Sequence, residues 1–249
     1  MITTKIESGV LTLSIDRQDK KNALTGDMYL ALAQQIQEAQ TNDAVRVISI
    51  RGEGDNFCAG NDLADFLAFA ESGGLANGLS EFPPIKFLHV LVDNKLPLIA
   101  SVQGVAIGIG FTLLLHCDMV ICAEDARLQT PFVDLGVVPE GGSSLLLPAR
   151  VGKVNAAEIL LLGAPISAQR ALQMGLCNTV CQIAELDAQT SALAAAVASK
   201  PQEALAASKA ALAGDIDLLH RRIDEEGGQF LERLQSDEAK QALAGFFRK

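Results

Sequence analysis

Residues 104–144 read GVAIGIGFTLLLHCDMVICAEDARLQTPFVDLGVVPEGGSS. The stretch opens on Gly104-Val-Ala-Ile-Gly-Ile-Gly110, which follows a β-rich run and leads into a helical apolar pattern. Upstream, Phe57-Cys-Ala-Gly-Asn-Asp-Leu63 is set in the same way between a strand and a helical pattern. A strand that turns through glycine into a helix aims the first, unpaired N–H groups of that helix at whatever lies beyond the turn. Two such turns supply donors to one place, although glycines of this kind also serve tight turns and close packing alone. A dinucleotide site is disfavoured: the pattern G-x-G-x-x-G needs a third glycine where Leu113 stands, and no acidic residue ends a strand about 20 residues on.

Outward from these segments the first half alternates strands and helices. Val10–Ile15 sets Val10, Thr12 and Ser14 opposite Leu11, Leu13 and Ile15, and Met28, Leu32, Ile36 and Ala39 follow at helical spacing. Further strands are expected over residues 45–50, 96–102 and 119–122, and a helix over 62–71. The Gly/Ser/Asn-rich residues 71–80 read as a surface loop able to cover a site. After Pro139 the pattern turns helical, over 143–148, 154–162, 168–174, 184–199, 202–213 and 217–247. An α/β part is followed by a helical lobe.

Composition narrows the function. At about 150 residues per domain, 249 residues make one large domain or one with an appendage. With 49% hydrophobic and 20% charged residues the chain is too apolar for disorder. A net charge of −10 disfavours nucleic acid and anionic membrane surfaces as partners. The apolar run from Val105 to Leu115 is well short of the roughly 20 residues that cross a bilayer. Cys58, Cys117, Cys122, Cys177 and Cys181 are odd in number and sit mostly among apolar neighbours, and MITTKIESGV has no basic-then-apolar pattern, so a reduced cytoplasmic setting is expected. No metal site is expected, because Cys177 and Cys181 have no further ligand beside them.

The segments FCAGNDL at 57–63, the run 104–144 and ILLLGAPISAQRALQMGLCNTV at 159–180 together resemble the crotonase superfamily of enoyl-CoA hydratases and isomerases over nearly the whole chain. The resemblance implies an α/β fold, a spiral of ββα units, with a core over 1–198 and a helical C-terminal trimerisation region over 199–249. It also implies a CoA thioester substrate, a homotrimer or a hexamer of two stacked trimers, and no metal or redox cofactor. The amphipathic spacing of Leu218, Leu219, Ile223, Phe230 and Leu234, with Phe246-Phe247 after it, is read as more apolar surface than a small lobe hides, in keeping with self-association.

By the same resemblance, the thioester oxygen is held by the backbone N–H groups of Asn61 and Ile109, where enolate charge collects. Lys21, Asn22, Ala23 and Leu24, with Ala59, Gly60, Asn61, Asp62 and Leu63, match the segments that hold adenine and pantetheine, and Gly108 belongs to the oxygen-binding turn. Lys20 and Lys21 either pair with CoA phosphates or are simply solvated.

The two glutamates of the hydratases are replaced by Thr112 and Phe132, neither of which acts as a base near neutral pH, which puts hydration in doubt. Glu140, in Val138-Pro-Glu-Gly-Gly-Ser143, matches the glutamate of peroxisomal-type Δ3,Δ2-enoyl-CoA isomerases. Read alone it is a helix-start acid facing solvent; with the resemblance it is the catalytic base. Isomerisation of 3-enoyl-CoA to 2-trans-enoyl-CoA is therefore expected. Another crotonase-type reaction, or a non-catalytic acyl-CoA-binding protein of the same fold, is the alternative. Asp62 is read as helix-terminus support and Asp118 as a buried structural acid. His89, His116 and His220 show no triad spacing, and Gly141-Gly-Ser-Ser-Leu145 is not a G-x-S-x-G elbow. Phe66, Phe69, Phe82 and Phe87 pack the core or line an acyl tunnel.

Overall fold

A computed structural model describes residues 1–62, 64–65 and 79–246. The expectations at Leu63, Phe66, Phe69 and Phe247, and the reading of 71–78 as a covering loop, lie outside the described residues. The fold is the expected α/β architecture with a helical C-terminal part.

The chain opens with a hairpin of which the sequence reading caught only one strand. β1 (Ile2–Glu7) runs antiparallel to β2 (Val10–Ile15), with Glu7 opposite Val10 across a two-residue turn at Ser8-Gly9. β1 is exposed at nearly every residue, so it carries no two-faced alternation to read. The helix α1 (Gly26–Ala39) is started by Thr25, whose hydroxyl accepts from the Met28 N–H.

β3 (Val47–Gly52), β4 (Leu98–Val102), β6 (Met119–Ala123) and β9 (Thr179–Cys181) extend this hairpin in parallel, in the order β1-β2-β3-β4-β6-β9. β3 starts two residues later than expected, because the Arg46 and Val47 amides are taken by the carbonyl of Gly9 in the hairpin turn. Strands buried on both faces suit a parallel sheet, and every residue of β4 is buried. One face meets the main core. The other is covered by α7 (Leu186–Ala198), which packs Ala194, Val197 and Ala198 on Val47 and Ile99.

A smaller sheet of β5 (Val105–Ile107), β7 (Arg127–Gln129) and β8 (Ile166–Ser167) stands beside it. The chain alternates between the two sheets: β4 passes through Gly104 into β5, and β6 passes into β7. Cys58 joins this smaller layer, donating to the carbonyl of Val105 at 3.0 Å and accepting from the N–H of Ile107 at 2.9 Å. Phe57-Cys-Ala-Gly and Val105-Ala-Ile-Gly therefore run side by side.

α2 (Pro83–Asp93) was not expected from the sequence. Its Pro83-Pro84 start reads as a loop, yet proline at the first helical positions costs no hydrogen bond and presets the backbone. After the short α3 (Ile109–Thr112) come α4 (Ser143–Val151), α5 (Lys153–Leu162), α6 (Ala168–Met174), α8 (Gln202–Leu212), α9 (Ile216–Leu234) and α10 (Asp237–Phe246).

α9 lies on α2. The stacked rings of His89 and His220, 4.6 Å apart, meet through their Nδ1 atoms and end on Asp224 at 2.8 Å and Asp93 at 2.9 Å. Leu219, Ile223 and Leu234 are buried in the main core, and Leu218 and Phe230 are half-buried. The reading of this stripe as surplus apolar surface is therefore corrected: α2, the helix missed in the sequence, covers it. The exposed apolar side chains lie elsewhere, with Val154, Leu161 and Leu162 of α5 at 83%, 65% and 66% exposure.

Candidate active site

Residues far apart in sequence meet where the two layers adjoin. Lys21, Asn22, Ala23 and Leu24 run along Ala59, Gly60, Asn61 and Asp62. The Ala59 N–H donates to the Lys21 carbonyl, Leu24 to Gly60 and Asp62 to Leu24. This pairing spends the Ala59 and Asp62 amides, the Gly60 N–H turns to Cys58 Sγ at 3.4 Å, and the Asn61 N–H is left over. Among the described residues neither that N–H nor the Ile109 N–H has an acceptor.

Glycine is what lets the two donors approach. Gly108 (φ +56°, ψ −120°) turns the chain into α3, and a Cβ on it would lie 4.0 Å from the Gly60 Cα. At Gly110 a Cβ would fall 2.4 Å from the Cys58 carbonyl oxygen, so no side chain fits. Tyr29, buried on α1, donates to Asn61 Oδ1 at 2.5 Å and holds that side chain. Asn22 is fully buried and bonds the carbonyls of Glu53 and Asn56, so its amide is spent on the loop. Lys20 and Lys21 are exposed and make no ion pair among the described residues.

Glu140 faces Asn61 across a small pocket walled by Pro84, Ile85, Gly227 and Phe230. An adjoining small pocket shares Asn61 and Pro84 and reaches Leu24, Tyr29 and Asp62. Glu140 is 7% exposed, which rules out the solvent-facing reading. The buried Thr112 hydroxyl, on the helix that starts at Ile109, donates to Glu140 Oε1 at 2.6 Å. Burial pushes the Glu140 carboxyl up to about 7. Thr112 opposes that shift and the carboxylate of Glu226 adds to it. This is the poise of a group that takes and returns a proton near neutrality.

Residues 5–249 match the family described as enoyl-CoA hydratase/isomerase. The chain belongs to the enoyl-CoA hydratase/isomerase family. Enoyl-CoA delta isomerase 2 of Rattus norvegicus is 31% identical over 96% of this chain, which spans 61% of that relative's length. The 2,3-dehydroadipyl-CoA hydratase of Escherichia coli is 37% identical over 69% of this chain and 65% of its own. The solved structure of OdaA from Pseudomonas aeruginosa superposes with a TM-score of 0.93 and 42% identity, over 100% of this chain and 99% of that one. The relatives include hydratases and isomerases, so family membership leaves the reaction to the residues of the site.

Of the two hydratase positions in this family member, Thr112 holds Glu140, and Phe132 is buried with its ring edge-on to Phe230 at 6.5 Å. Asp62 caps the turn after it, accepting from the Asp65 N–H at 2.9 Å and pairing with Arg17 at 2.7 Å, and the first of these contacts does most to hold its carboxyl low. Asp118 is corrected: it accepts from the Leu98 N–H and Lys209 Nζ, both at 2.7 Å, but at the sheet rim it is exposed. His116 Nε2 donates to the Gly141 carbonyl at 2.8 Å, and burial pushes this histidine down to about 4.

The sequence reading missed Glu226. It is 5% exposed on α9 and accepts from the N–H groups of Gly142 and Ser144 and from the Ser144 hydroxyl. The available signal was its place on the apolar stripe, three residues after Ile223, where a helix facing a core seldom carries a charge. No helix among the described residues is long and apolar enough to cross a membrane.

Proposed function

We propose that the protein isomerises 3-enoyl-CoA to 2-trans-enoyl-CoA, with Glu140 as the proton shuttle. The observation that carries this reading is that Glu140 is the only carboxylate among the described residues lining the pocket it shares with Asn61. The Glu140 carboxylate takes a proton from C2, and the electrons of that C–H bond move onto the thioester oxygen. The N–H groups of Asn61 and Ile109 hold the resulting dienolate, each contributing on the order of 3 kcal/mol. The protonated Glu140 then returns the proton to C4, and the double bond moves from C3–C4 to C2–C3. Atoms and charge balance without a cofactor, and one carboxylate reaches both carbons. The segments at Lys21–Leu24 and Ala59–Asp62, with Gly108, are assigned to CoA in this reading.

The five cysteines are buried and free, which supports a reducing, cytoplasmic setting for this activity. Self-association into a trimer, or two stacked trimers, is part of the proposal and is supported by the exposed apolar side chains of α5. Light scattering at micromolar protein is expected to report such an oligomer, and Leu161→Glu to shift it toward monomer; a monomeric parent protein contradicts it.

The deciding assay offers 3-hexenoyl-CoA and crotonyl-CoA to the same preparation in deuterated water. Isomerisation should exceed hydration by at least about 100-fold, the worth of the missing acid or base. Comparable rates give the assignment to the hydratases. Binding without isotope uptake at C2 leaves a non-catalytic acyl-CoA-binding protein.

A further inference from the structure

We propose that Glu226 is a positioning residue for the reaction: from α9 it holds the loop that presents Glu140 to the reacting carbons. The proposal rests on the reading of Glu140 as the proton shuttle. The loop has little of its own to hold it. Gly141 and Gly142 both have φ of +73°, and Gly142 is the residue that starts α4, so no side chain caps this helix locally. The Ser143 N–H turns back to the Glu140 carbonyl at 3.3 Å and His116 holds the Gly141 carbonyl, but the Gly142 and Ser144 amides need an acceptor from elsewhere. Glu226 Oε2 accepts from the Gly142 N–H at 2.7 Å, and Oε1 accepts from the Ser144 N–H at 3.0 Å and the Ser144 hydroxyl at 2.5 Å. The stretch directly after Glu140 is thus fixed from another helix, while Thr112 fixes the carboxylate itself.

The same turn of α9 builds the pocket. A Cβ on Gly227 would lie 2.6 Å from Ile85 Cδ1, and Gly227 and Phe230 line the cavity with Glu140. A buried carboxylate is costly unless its oxygens are paired, and here both are. Glutamine would offer one acceptor oxygen and turn an NH₂ toward the amides. The charge matters as well, because Glu226 opposes ionisation of Glu140. The other groups around Glu140 do not compete near neutral pH. Burial pushes Cys58 and Tyr29 up, the thiol to about 12, and pushes His116 down to about 4. Burial pushes the Glu226 carboxyl itself up, against which work the hydrogen bonds from Ser144 and Gly142 and the charge of Arg222, which also donates to the Ser144 hydroxyl at 3.1 Å.

The test uses the full chain with Glu226→Gln and Glu226→Asp. Isomerisation of 3-hexenoyl-CoA is followed from pH 5 to 9, hexanoyl-CoA binding by calorimetry, melting by circular dichroism, and Glu140 itself by carboxyl carbon NMR titration. In Glu226→Gln, kcat should fall about 10- to 100-fold, with KM and the hexanoyl-CoA Kd within about threefold. The midpoint of the acid limb and the Glu140 titration should both move to lower pH by about half a unit or more. Glu226→Asp keeps the charge one methylene short, and should keep the midpoint while losing part of kcat. Unchanged kcat and midpoint in Glu226→Gln overturn the proposal. So does a loss of kcat matched by equal losses in binding and melting temperature. If Glu226→Gln does not fold, Glu226→Asp decides, lowered kcat with unchanged Kd supporting the proposal and unchanged kcat overturning it. A parent protein that does not isomerise 3-hexenoyl-CoA removes the shuttle reading, and the Glu140 titration in the variants still tells whether Glu226 governs this carboxylate.

Discussion

The first wall of the site, the glycine turns at Asn61 and Ile109, offers main-chain N–H groups, whereas the facing wall offers the Glu140 carboxylate, held by the Thr112 hydroxyl on α3 and carried on a loop that Glu226 holds from α9. On the first wall the demanding positions are glycines, because Gly60 and Gly108 hold positive φ of +102° and +56° and a Cβ on Gly110 would run into the Cys58 carbonyl. On the second wall each functional atom belongs to a side chain and depends on its neighbours for position and charge. The difference predicts which substitutions each wall tolerates: the backbone wall should be blind to most side-chain changes, and the carboxylate wall should not.

The largest expected effect is at the carboxylate. Glu140→Gln should keep acyl-CoA binding and lower isomerisation at least about 100-fold, as loss of a general base does; near-normal turnover removes Glu140 from the mechanism. The same variant should be more stable than the parent in alkaline solution. The folded Glu140 carboxyl is raised from 4.5 to about 7, so its stability contribution is intact below pH 4.5 and is lost as pH rises through 7. Urea unfolding should show a gain of up to about 3 kcal/mol at pH 8, shrinking toward zero as the pH falls to 4.5.

Next comes a contrast within the backbone wall. Asn61→Pro deletes the donor and should cost on the order of 100-fold in rate if the fold survives, while Ile109→Leu should be mild. Asn61→Ala should also leave the rate nearly intact, but it strips Tyr29 of its acceptor, so a stability loss of about 1–3 kcal/mol is expected. A large drop in kcat for Asn61→Ala with unchanged melting would break the contrast, since the side chain would then share the work.

The smallest effect sharpens the other wall. Thr112 donates to the charged form of Glu140 and so favours it. Thr112→Val should raise the Glu140 pKa and move the acid limb of kcat/KM upward by about one unit or less, with rates converging above pH 8. A limb that moves down, or stays, shows that Thr112 does not govern this proton.

The glycine-rich segments were legible in sequence because their constraint is local and steric. β2 announced itself by alternation, and the helices after Pro139 by their period. β1 was missed because an exposed edge strand has no buried face to alternate with. α2 was missed because its prolines resemble a loop start. Missing α2 in turn made the α9 stripe look unpaired, and the surplus apolar surface was assigned there, whereas the stripe is packed and exposed apolar side chains cluster on α5. Glu226 was passed over in the run Asp224-Glu225-Glu226: its place on the stripe three residues after Ile223 was the one sign, and the packing of α9 decided that it turns inward.

By itself the sequence determined the family, the α/β order, the two glycine turns and the absence of the hydratase glutamates, because these depend on residue identity and short spacing. The tertiary structure decided the state of Glu140. Its burial, its hydroxyl donor on α3 and the carboxylate reaching its loop from α9 come from segments far apart in the chain, and a proton affinity near neutrality depends on how those segments desolvate and charge the site rather than on any local pattern.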